Sequence, residues 1–461
     1  MAREGLNAVT HPKCSPEHPA ARTDPRRTFD GIVCFGDSDW WYHNRGHYDM
    51  QMMREFSRLV PVLYINSTGL RMPRIGEGGM FLQRIARKLQ SLRRGLVTVR
   101  RNFSVYSPLV VPGPVGMAAS RHFLLPQVRW AMRKLRIRRP LLWVVCPPAA
   151  EIVDRLTPAA VVYQRTDVYE KYPGVDAERV RRFDRFLKAR ADLTLFCSTY
   201  LLDREAGDCR RALFADHGVD YERFAAAGRR SAETDAQAHQ GNGRSRAPGR
   251  SEALRRLQSI ARPRIGFVGS IDAHTFDPPL FLETVRLLPQ ANFVLVGGCS
   301  LPPNWCCEPN VTFLGRQPYE DVADLMAACD VLIMPWNRSE WIRACNPVKL
   351  KEYLAVGRPV VSSPFEELSR YNGHVLVAED SCTFAQRIQQ ALASPPDPEV
   401  LRRRVCQETW TAKAALVLDE LTRSAVVRRE GPLDPVQMLL PDAPNRRKLR
   451  WSCALSSENT I

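Results

Sequence analysis

Short runs of apolar residues punctuate the middle of this chain: GIVCF (31–35), PVLYI (61–65), LLWVV (141–145), AVVYQ (160–164) and LTLFC (193–197), then RIGFVG (264–269), NFVLVG (292–297), VTFLG (311–315), DVLIMP (330–335) and PVVSS (359–363). They are apolar throughout rather than alternating, as in strands buried on both faces of a parallel sheet. Helix-sized segments separate most of them, so each half reads as a doubly wound α/β domain, and two such domains leave a cleft between the carboxyl ends of their strands. Residues 225–262 are rich in Gly, Ser, Ala, Gln and Arg and hold no large apolar side chain after the first residues until Leu254, a composition that predicts a flexible linker or solvated insertion. Polar ends, 1–29 and 425–461, predict disordered tails. The expected domains are therefore 30–224 and 263–424.

Composition narrows the class. With 44% hydrophobic and 25% charged residues in 461, the chain is globular and too long for one core. No run of eighteen apolar residues occurs, and the first thirty residues lack the apolar stretch of a secretory signal, so a cytoplasmic location is expected. Thirteen cysteines form no CxxC pair and read as reduced thiols, mostly small core residues. The net charge of +17 is unevenly placed: residues 71–140 hold sixteen Lys or Arg and one acid, Glu77. Within them, 80–94 places Phe81, Ile85, Leu89 and Leu92 on one helical stripe, and 124–139 does the same with Leu124, Val128, Met132 and Leu135. Basic amphipathic helices of this kind either pack on a core with a solvated face or lie on an anionic membrane surface. Nucleic acid is the rival partner for a basic chain, but the segment lacks the aromatic and Gly-rich patterns of RNA-binding modules, and none is expected.

The richest chemistry lies in DVLIMPWNRSEWIRACNPVKLKEYLAVGRPVVSS (330–363). A strand ends near Pro335, Asn346 and Pro347 supply an N-cap and first-turn proline, and Gly357 is a left-handed stop. A helix starting at the carboxyl edge of a parallel sheet aims free N–H groups into the cleft, which suits a diphosphate. Lys349 stands in its first turn and Glu352 one turn on; Leu350 and Leu354 face the core. Lys349 and Glu352 are either an ordinary surface ion pair or a site in which the ammonium neutralises phosphates and the carboxylate accepts a ribose diol.

NPVKLKEYLAVGRPVVSS resembles the donor-binding signature of two-domain GT-B nucleotide-sugar glycosyltransferases of the group 1 (family 4) kind. Asp216-His217-Gly218-Val219-Asp220 with Phe224, the strand 191–198, and Arg264 to Ser270 are similar to further landmarks of that family, so the resemblance covers about 30–420. It implies two Rossmann-like domains facing across a cleft, with the acceptor on the first and the donor on the second. The N-P-x-K-x-x-E-Y-L-A run resembles bacterial transferases that build exopolysaccharide or teichuronic-type envelope glycans. The implied partners are a nucleotide-diphosphate sugar, of uridine in the first place, and a carbohydrate or lipid-linked acceptor at the inner face of the plasma membrane, reached through 71–140. No cofactor beyond that co-substrate and no essential metal are expected.

This chain departs from the family pattern at two places. The glutamate eight residues before Glu352 is Ala344, which argues against retaining chemistry, and the basic residue after G-F-x-G is replaced by Ser270-Ile271-Asp272. Diphosphate binding then falls to Lys349, Arg343 and backbone amides around Gly269 and Ser270. For a general base, Asp167 in VVYQRTDVY follows a buried strand at its carboxyl end; it is either that base or the cap of the following turn. His47, at the first turn of the first helix, either faces the cleft or is a plain helix-start residue. Asp37-Ser38-Asp39 is a D-x-D that falls too early in the chain for the metal role it has in single-domain transferases. With the family glutamate missing, a non-catalytic GT-B binding subunit is the alternative to an enzyme. No P-loop and no G-x-S-x-G occurs.

Overall fold

The computed structural model describes residues 29–42, 46–67, 79–109, 114–172, 174–239 and 251–428. The first sheet has eight strands: β1 Gly31–Phe35, β2 Val62–Ile65, β3 Leu96–Arg100, β4 Phe103–Tyr106, β5 Pro140–Val144, β6 Ala160–Arg165, β7 Leu193–Phe196 and β8 Ala212–Phe214. Their order is β3-β4-β2-β1-β5-β6-β7-β8, parallel except for the β3–β4 hairpin at the edge. A second sheet of six parallel strands, β9 Arg264–Val268, β10 Asn292–Val296, β11 Val311–Gly315, β12 Val331–Met334, β13 Val360–Ser362 and β14 Leu376–Val377, runs β11-β10-β9-β12-β13-β14. In both sheets the order reverses beside the first strand, the switch point where open α/β sheets place ligands. This is the GT-B arrangement of two parallel-sheet domains.

Continuous apolar runs became central strands because both faces are covered. In β1, Ile32 and Cys34 enter one core layer while Val33 and Phe35 enter the layer on the opposite face. Four strands, β3, β4, β8 and β14, lie outside the apolar-run pattern. β3 is only half-buried and alternates, as befits an antiparallel edge, while β8 and β14 have three and two residues. Those elements are set by their neighbours rather than by their own composition.

Residues 225–262, expected to be a linker, begin inside the helix Tyr221–His239 and end with the helix Glu252–Ser259; 240–250 lie outside the described residues. The small residues there serve close packing. A β-carbon on Gly228 would lie 1.9 Å from the Val356 carbonyl oxygen, so the helix can rest on the second domain only with glycine at that point. Phe224, Leu254 and Leu257 are buried in the second core. The reverse happens at the other end: Trp410, Ala414, Val417 and Leu418, on the helix Trp410–Arg428, are buried in the core of the first domain. The chain therefore crosses between domains twice, and the two crossings are clamped together by Val219 N–H donating to the Glu408 carbonyl at 2.8 Å. A domain running to 424 is corrected accordingly: its last helix belongs to the first domain's core.

Of the two basic helices, the second is built as its stripe predicts, with Leu124, Val128 and Met132 buried. In the first, Gly79–Arg94, Leu89 is exposed and Ser91 is the inward residue. Ser91 Oγ meets Asn66 Nδ2 at 3.3 Å, Ser107 Oγ at 2.7 Å and Asp39 Oδ2 at 2.8 Å, a polar pocket at the ends of β2 and β4 that no leucine could satisfy. The Phe81 and Ile85 side chains lie outside the described residues. Among the described residues eleven cysteines are unbonded, but only Cys34, Cys146, Cys197 and Cys329 are buried, so most are not core residues.

The two domains are locked by charge. Asp216, where the first domain ends, is fully buried and accepts from Lys351 Nζ at 2.7 Å and from Lys413, with Arg370 at 3.7 Å. Lys351, on the helix Val348–Val356, also pairs with Glu408 at 2.5 Å and donates to the His217 carbonyl at 2.5 Å. These cations hold the Asp216 carboxyl far below its usual range despite burial. A second tie is Glu367, whose buried carboxylate caps the N-terminus of the helix Thr199–Glu205 in the first domain, accepting from the Thr199 amide and, at 2.7 Å, its hydroxyl. Lys351→Ala takes one cation away from both Asp216 and Glu408 in the interior and should cost about 3 kcal/mol, the low end for breaking a buried pair, because Lys413 and Arg370 still face Asp216 and Arg404 still pairs with Glu408 at 2.6 Å. Lys171→Ala, which removes only the exposed Lys171–Glu340 pair, should cost less than about 1 kcal/mol. Urea-unfolding midpoints of the two variants check the difference.

Candidate active site

The cleft between the domains has a volume of about 850 Å³. Its walls are loops that leave the carboxyl ends of strands, so its shape follows from the two sheets. From the first domain come Asp37 after β1, Trp40 to Tyr42, His47 to Asp49, Thr166 and Asp167 after β6, Tyr172 and His217; from the second come Gly269 and Ser270 after β9, Gly297 and Gly298 after β10, Arg316 to Glu320 after β11, and Val348, Lys349 and Glu352. Gly297 has φ +152°, and a β-carbon there would stand 1.7 Å from the Gly269 carbonyl oxygen. The floor of the cleft thus depends on two abutting glycine loops.

The helix Val348–Val356 forms as its sequence predicts and stops at Gly357 in the left-handed region, with Leu350 and Leu354 in the core. Lys349 Nζ lies 2.8 Å from Glu352 Oε2, and the Glu352 carboxylate is almost fully buried. Its other oxygen accepts a long bond, 3.4 Å, from the Tyr319 hydroxyl. The pair is therefore no solvated surface contact; it lies in the cleft wall. Asn346 is not the N-cap. Pro347 occupies that position, and Asn346 Nδ2 instead donates to the Cys197 carbonyl of the first domain at 2.8 Å, because that buried strand-end oxygen needs a donor.

Two other expected donor contacts are not in place. Arg343 is 56% exposed, pairs with Glu366 at 3.5 Å and lies over the Tyr200 ring, outside the cleft lining. The Gly269 amide is spent on the Val296 carbonyl at 2.9 Å, the bond that continues the β9–β10 ladder. Ser270 lines the cleft and is exposed. Ala344, standing where the family's glutamate would be, is buried with Val168, Phe196, Leu201 and Leu202 in an apolar cluster between the domains. A carboxylate there would be buried without partners.

Across the cleft, Asp167 follows directly on Arg165, whose guanidinium is fully buried among Glu170 at 3.0 Å, Glu205 at 3.1 Å and Asp184 at 3.3 Å. That network pins the strand end from which Asp167 projects. Asp167 does not cap the next turn with its side chain; Oδ2 accepts from the Tyr172 hydroxyl at 3.2 Å. Burial pushes its carboxyl up to about 6, opposed by the Tyr172 hydrogen bond and the Arg165 charge. His47 is the N-cap residue of the helix Tyr48–Phe56, makes no side-chain cap and lines the cleft. It neighbours His217, a residue the sequence reading quoted only as part of a motif. Burial and then Lys351 hold the His217 imidazole down to about 3, so it is neutral, and its enclosed Nδ1 has no partner. In the D-x-D, Asp37 lines the cleft, whereas Asp39 accepts from the Trp41 amide at 2.9 Å and from Ser91. Among the described residues no three His, Cys, Asp or Glu side chains are grouped to hold a metal ion.

Arg316 and Tyr319 were missed, although they follow the apolar run VTFLG and the carboxyl-end rule that picked out Asp167 reaches them too.

Comparison with known proteins bears on the fold and on the second domain. Residues 262–394, which lie in the second domain, match the family described as "Glycosyl transferases group 1". TuaH of Bacillus subtilis (strain 168), which carries the name of a teichuronic acid biosynthesis glycosyltransferase, is 28% identical over 190 residues, 39% of this chain and 42% of that protein. The match thus spans less than half the length of that relative. Sucrose-phosphate synthase of Thermosynechococcus elongatus superposes with a TM-score of 0.61 at 15% identity, over 87% of this chain and 100% of that one. Alr3699/HepE of Anabaena, solved in complex with UDP, superposes with a TM-score of 0.55 at 12% identity, over 85% and 99%. These likenesses show the fold.

The Asp167 environment makes a testable statement about titration. With ¹³C-labelled aspartate in the full chain, one carboxyl should titrate near 6, be absent in Asp167→Asn, and move upward in Tyr172→Phe, which removes a hydrogen bond that favours the charged form.

Proposed function

We propose that this protein is a glycosyltransferase that moves a sugar from a nucleoside diphosphate donor, UDP-sugar in the first place, to a hydroxyl of a carbohydrate or lipid-linked acceptor of the cell envelope. The observation that carries the reading is the opposition, across one cleft, of a poised carboxylate at Asp167 and the Lys349–Glu352 pair. The group 1 domain match and the UDP complex of the HepE neighbour support the donor class, and the TuaH likeness supports the envelope setting.

In this mechanism the ionised Asp167 takes the proton of the acceptor hydroxyl as that oxygen attacks the anomeric carbon. The bond between the anomeric carbon and the diphosphate oxygen breaks, and the diphosphate leaves with the electron pair. Its charge develops next to the Lys349 ammonium and the N-terminus of the helix beginning at Val348. Glu352 Oε1, held only by the long bond from Tyr319, accepts the ribose hydroxyls. This is a single displacement with inversion at the anomeric carbon. Ala344 favours it, since a glutamate in that apolar cluster would be buried without partners.

The basic segment supplies the reason to place the acceptor at a membrane. Leu89, Phe123 and Trp130 are exposed on the two Arg-rich helices, so apolar side chains stand among cations instead of facing a core. Near an anionic leaflet each cation adds about 1 kcal/mol, enough for reversible attachment by a handful of them. Among the described residues no helix is long and apolar enough to cross a membrane. Co-sedimentation with phosphatidylglycerol vesicles should be lost in high salt and weakened in Phe123→Ser/Trp130→Ser; retention by neutral phosphatidylcholine vesicles alone would count against the electrostatic part.

The function itself is tested by calorimetry with UDP, GDP and ADP on the full chain. One of them should bind, and Lys349→Ala and Glu352→Ala should each weaken it by about tenfold or more, the worth of a charge-assisted contact. Asp167→Asn should leave that binding intact while lowering turnover by about 10²–10⁴-fold, the usual contribution of a general base. Binding untouched by both donor-side variants would sink the site.

A further inference from the structure

The donor half of the cleft needs more positive charge than its paired lysine supplies. A nucleoside diphosphate brings about three negative charges. Lys349 is already neutralised by Glu352 at 2.8 Å, Arg343 faces Glu366 outside the cleft, and His217 is neutral. Among the described residues of the cleft lining, one further Lys or Arg remains. Arg316, the first residue after β11, is exposed in the cleft wall and has no hydrogen bond, ion pair or ring contact with any described residue. Glu320, four residues on in the same wall, makes no ion pair with it.

Its placement is built by the neighbouring strands. Arg316 leaves β11 through Gly315, which has φ +67°, and its guanidinium reaches back over β10: a β-carbon on Gly298 would lie 3.5 Å from Arg316 Nη2. Gly298 in turn holds the loop after β9, since its carbonyl accepts from the Ile271 amide at 2.9 Å. The guanidinium therefore stands at Gly298, in the loop bonded to the Ser270–Ile271 turn, where the strand order of the second sheet reverses. That turn has no cation of its own, and Asp272 is spent on it, accepting from the His274 amide at 3.0 Å and the Thr275 amide at 2.9 Å. An exposed arginine left unpaired among glycine loops forgoes a stabilising contact in the free protein; its planar fork of donors matches a phosphate.

We infer that Arg316 is the principal diphosphate ligand of the donor site, reaching from the end of β11 to the loop after β9, with Lys349 assisting from the opposite side. The inference rests on the donor-site reading above. It gives the second domain a division of labour in which Glu352 reads the ribose and Arg316 reads the phosphates.

The test compares each of UDP, GDP and ADP with its own nucleoside, by calorimetry or ligand-observed NMR on the full chain. For the nucleotide that binds, Arg316→Ala should weaken the diphosphate by about 10- to 100-fold, the range of a charge-assisted hydrogen bond, and leave the nucleoside within about twofold. Arg343→Ala, which alters an arginine outside the cleft, should change neither. If Arg316→Ala binds the diphosphate as the wild type does while Lys349→Ala and Glu352→Ala lose it, the Arg316 assignment falls and the donor site stands. An equal loss of nucleoside and diphosphate in Arg316→Ala also overturns it, because the side chain would then shape the base pocket. If the wild-type chain binds no diphosphate, both readings fall together.

Discussion

The Asp216–Lys351 ion pair is the contact on which the rest of the structure depends. An apolar pair of the same volume would be cheaper to bury; what the ion pair adds is geometry. Asp216 closes the first domain, Lys351 sits in the middle of the helix that forms the donor wall, and Lys413 and Glu408 flank the return crossing to the first domain. All four charges are satisfied in one relative placement of three chain segments. That placement sets Asp167 opposite Lys349 and Glu352.

The same helix therefore does three jobs according to which way each residue points. Leu350 and Leu354 enter the second core, Lys351 faces the domain junction, and Lys349 with Glu352 faces the cleft. With a period of 3.6 residues, successive side chains lie about 100° apart, which is enough to separate core, hinge and ligand on one short element. The crossings at 216–220 and 408–410 run side by side under this helix, joined by Val219 and Glu408. A hinge at this point would leave both sheets intact, but motion of one domain on the other would also have to break the Glu367–Thr199 and Asn346–Cys197 contacts and open the apolar cluster around Ala344.

Electrostatics divide the cleft into two halves with opposite tasks. On the first-domain side, burial raises a carboxyl until it can exchange a proton near neutral pH, while a neutral imidazole and the aromatic side chains of Trp41 and Tyr42 line the same half of the cleft. On the second-domain side stand Arg316, Lys349 and the glycine loops, which the proposed mechanism assigns to the diphosphate. In that mechanism, domain closure would bring Asp167 and the diphosphate-binding wall to one substrate while excluding water, the condition in which both are most effective. The apolar cluster around Ala344 lies at the base of this arrangement and accounts for a missing glutamate in terms of packing.

How much of this was legible beforehand depended on the range of the cause. Continuous apolar runs disclosed ten of the fourteen strands, because burial on both faces leaves its mark residue by residue; β3, β4, β8 and β14 escaped, since their order comes from neighbours across the sheet. Local rules likewise reached the helix ending at Gly357, the Lys349–Glu352 spacing and the position of Asp167 just past a strand. Other assignments needed the folded chain. Asn346 turned from cap to domain tie, Arg343 pointed away from the cleft, the Gly- and Ala-rich stretch at 225–228 became a tight helix contact, and the last helix returned to the first domain. Each of those outcomes is a long-range contact whose two partners lie far apart in sequence, and no periodicity within either partner encodes the other. By itself the sequence determined which segments form strands and helices and which residue types stand at their ends; only the tertiary structure decided which of those ends meet, and so which charges are spent on holding the domains together and which remain for a ligand.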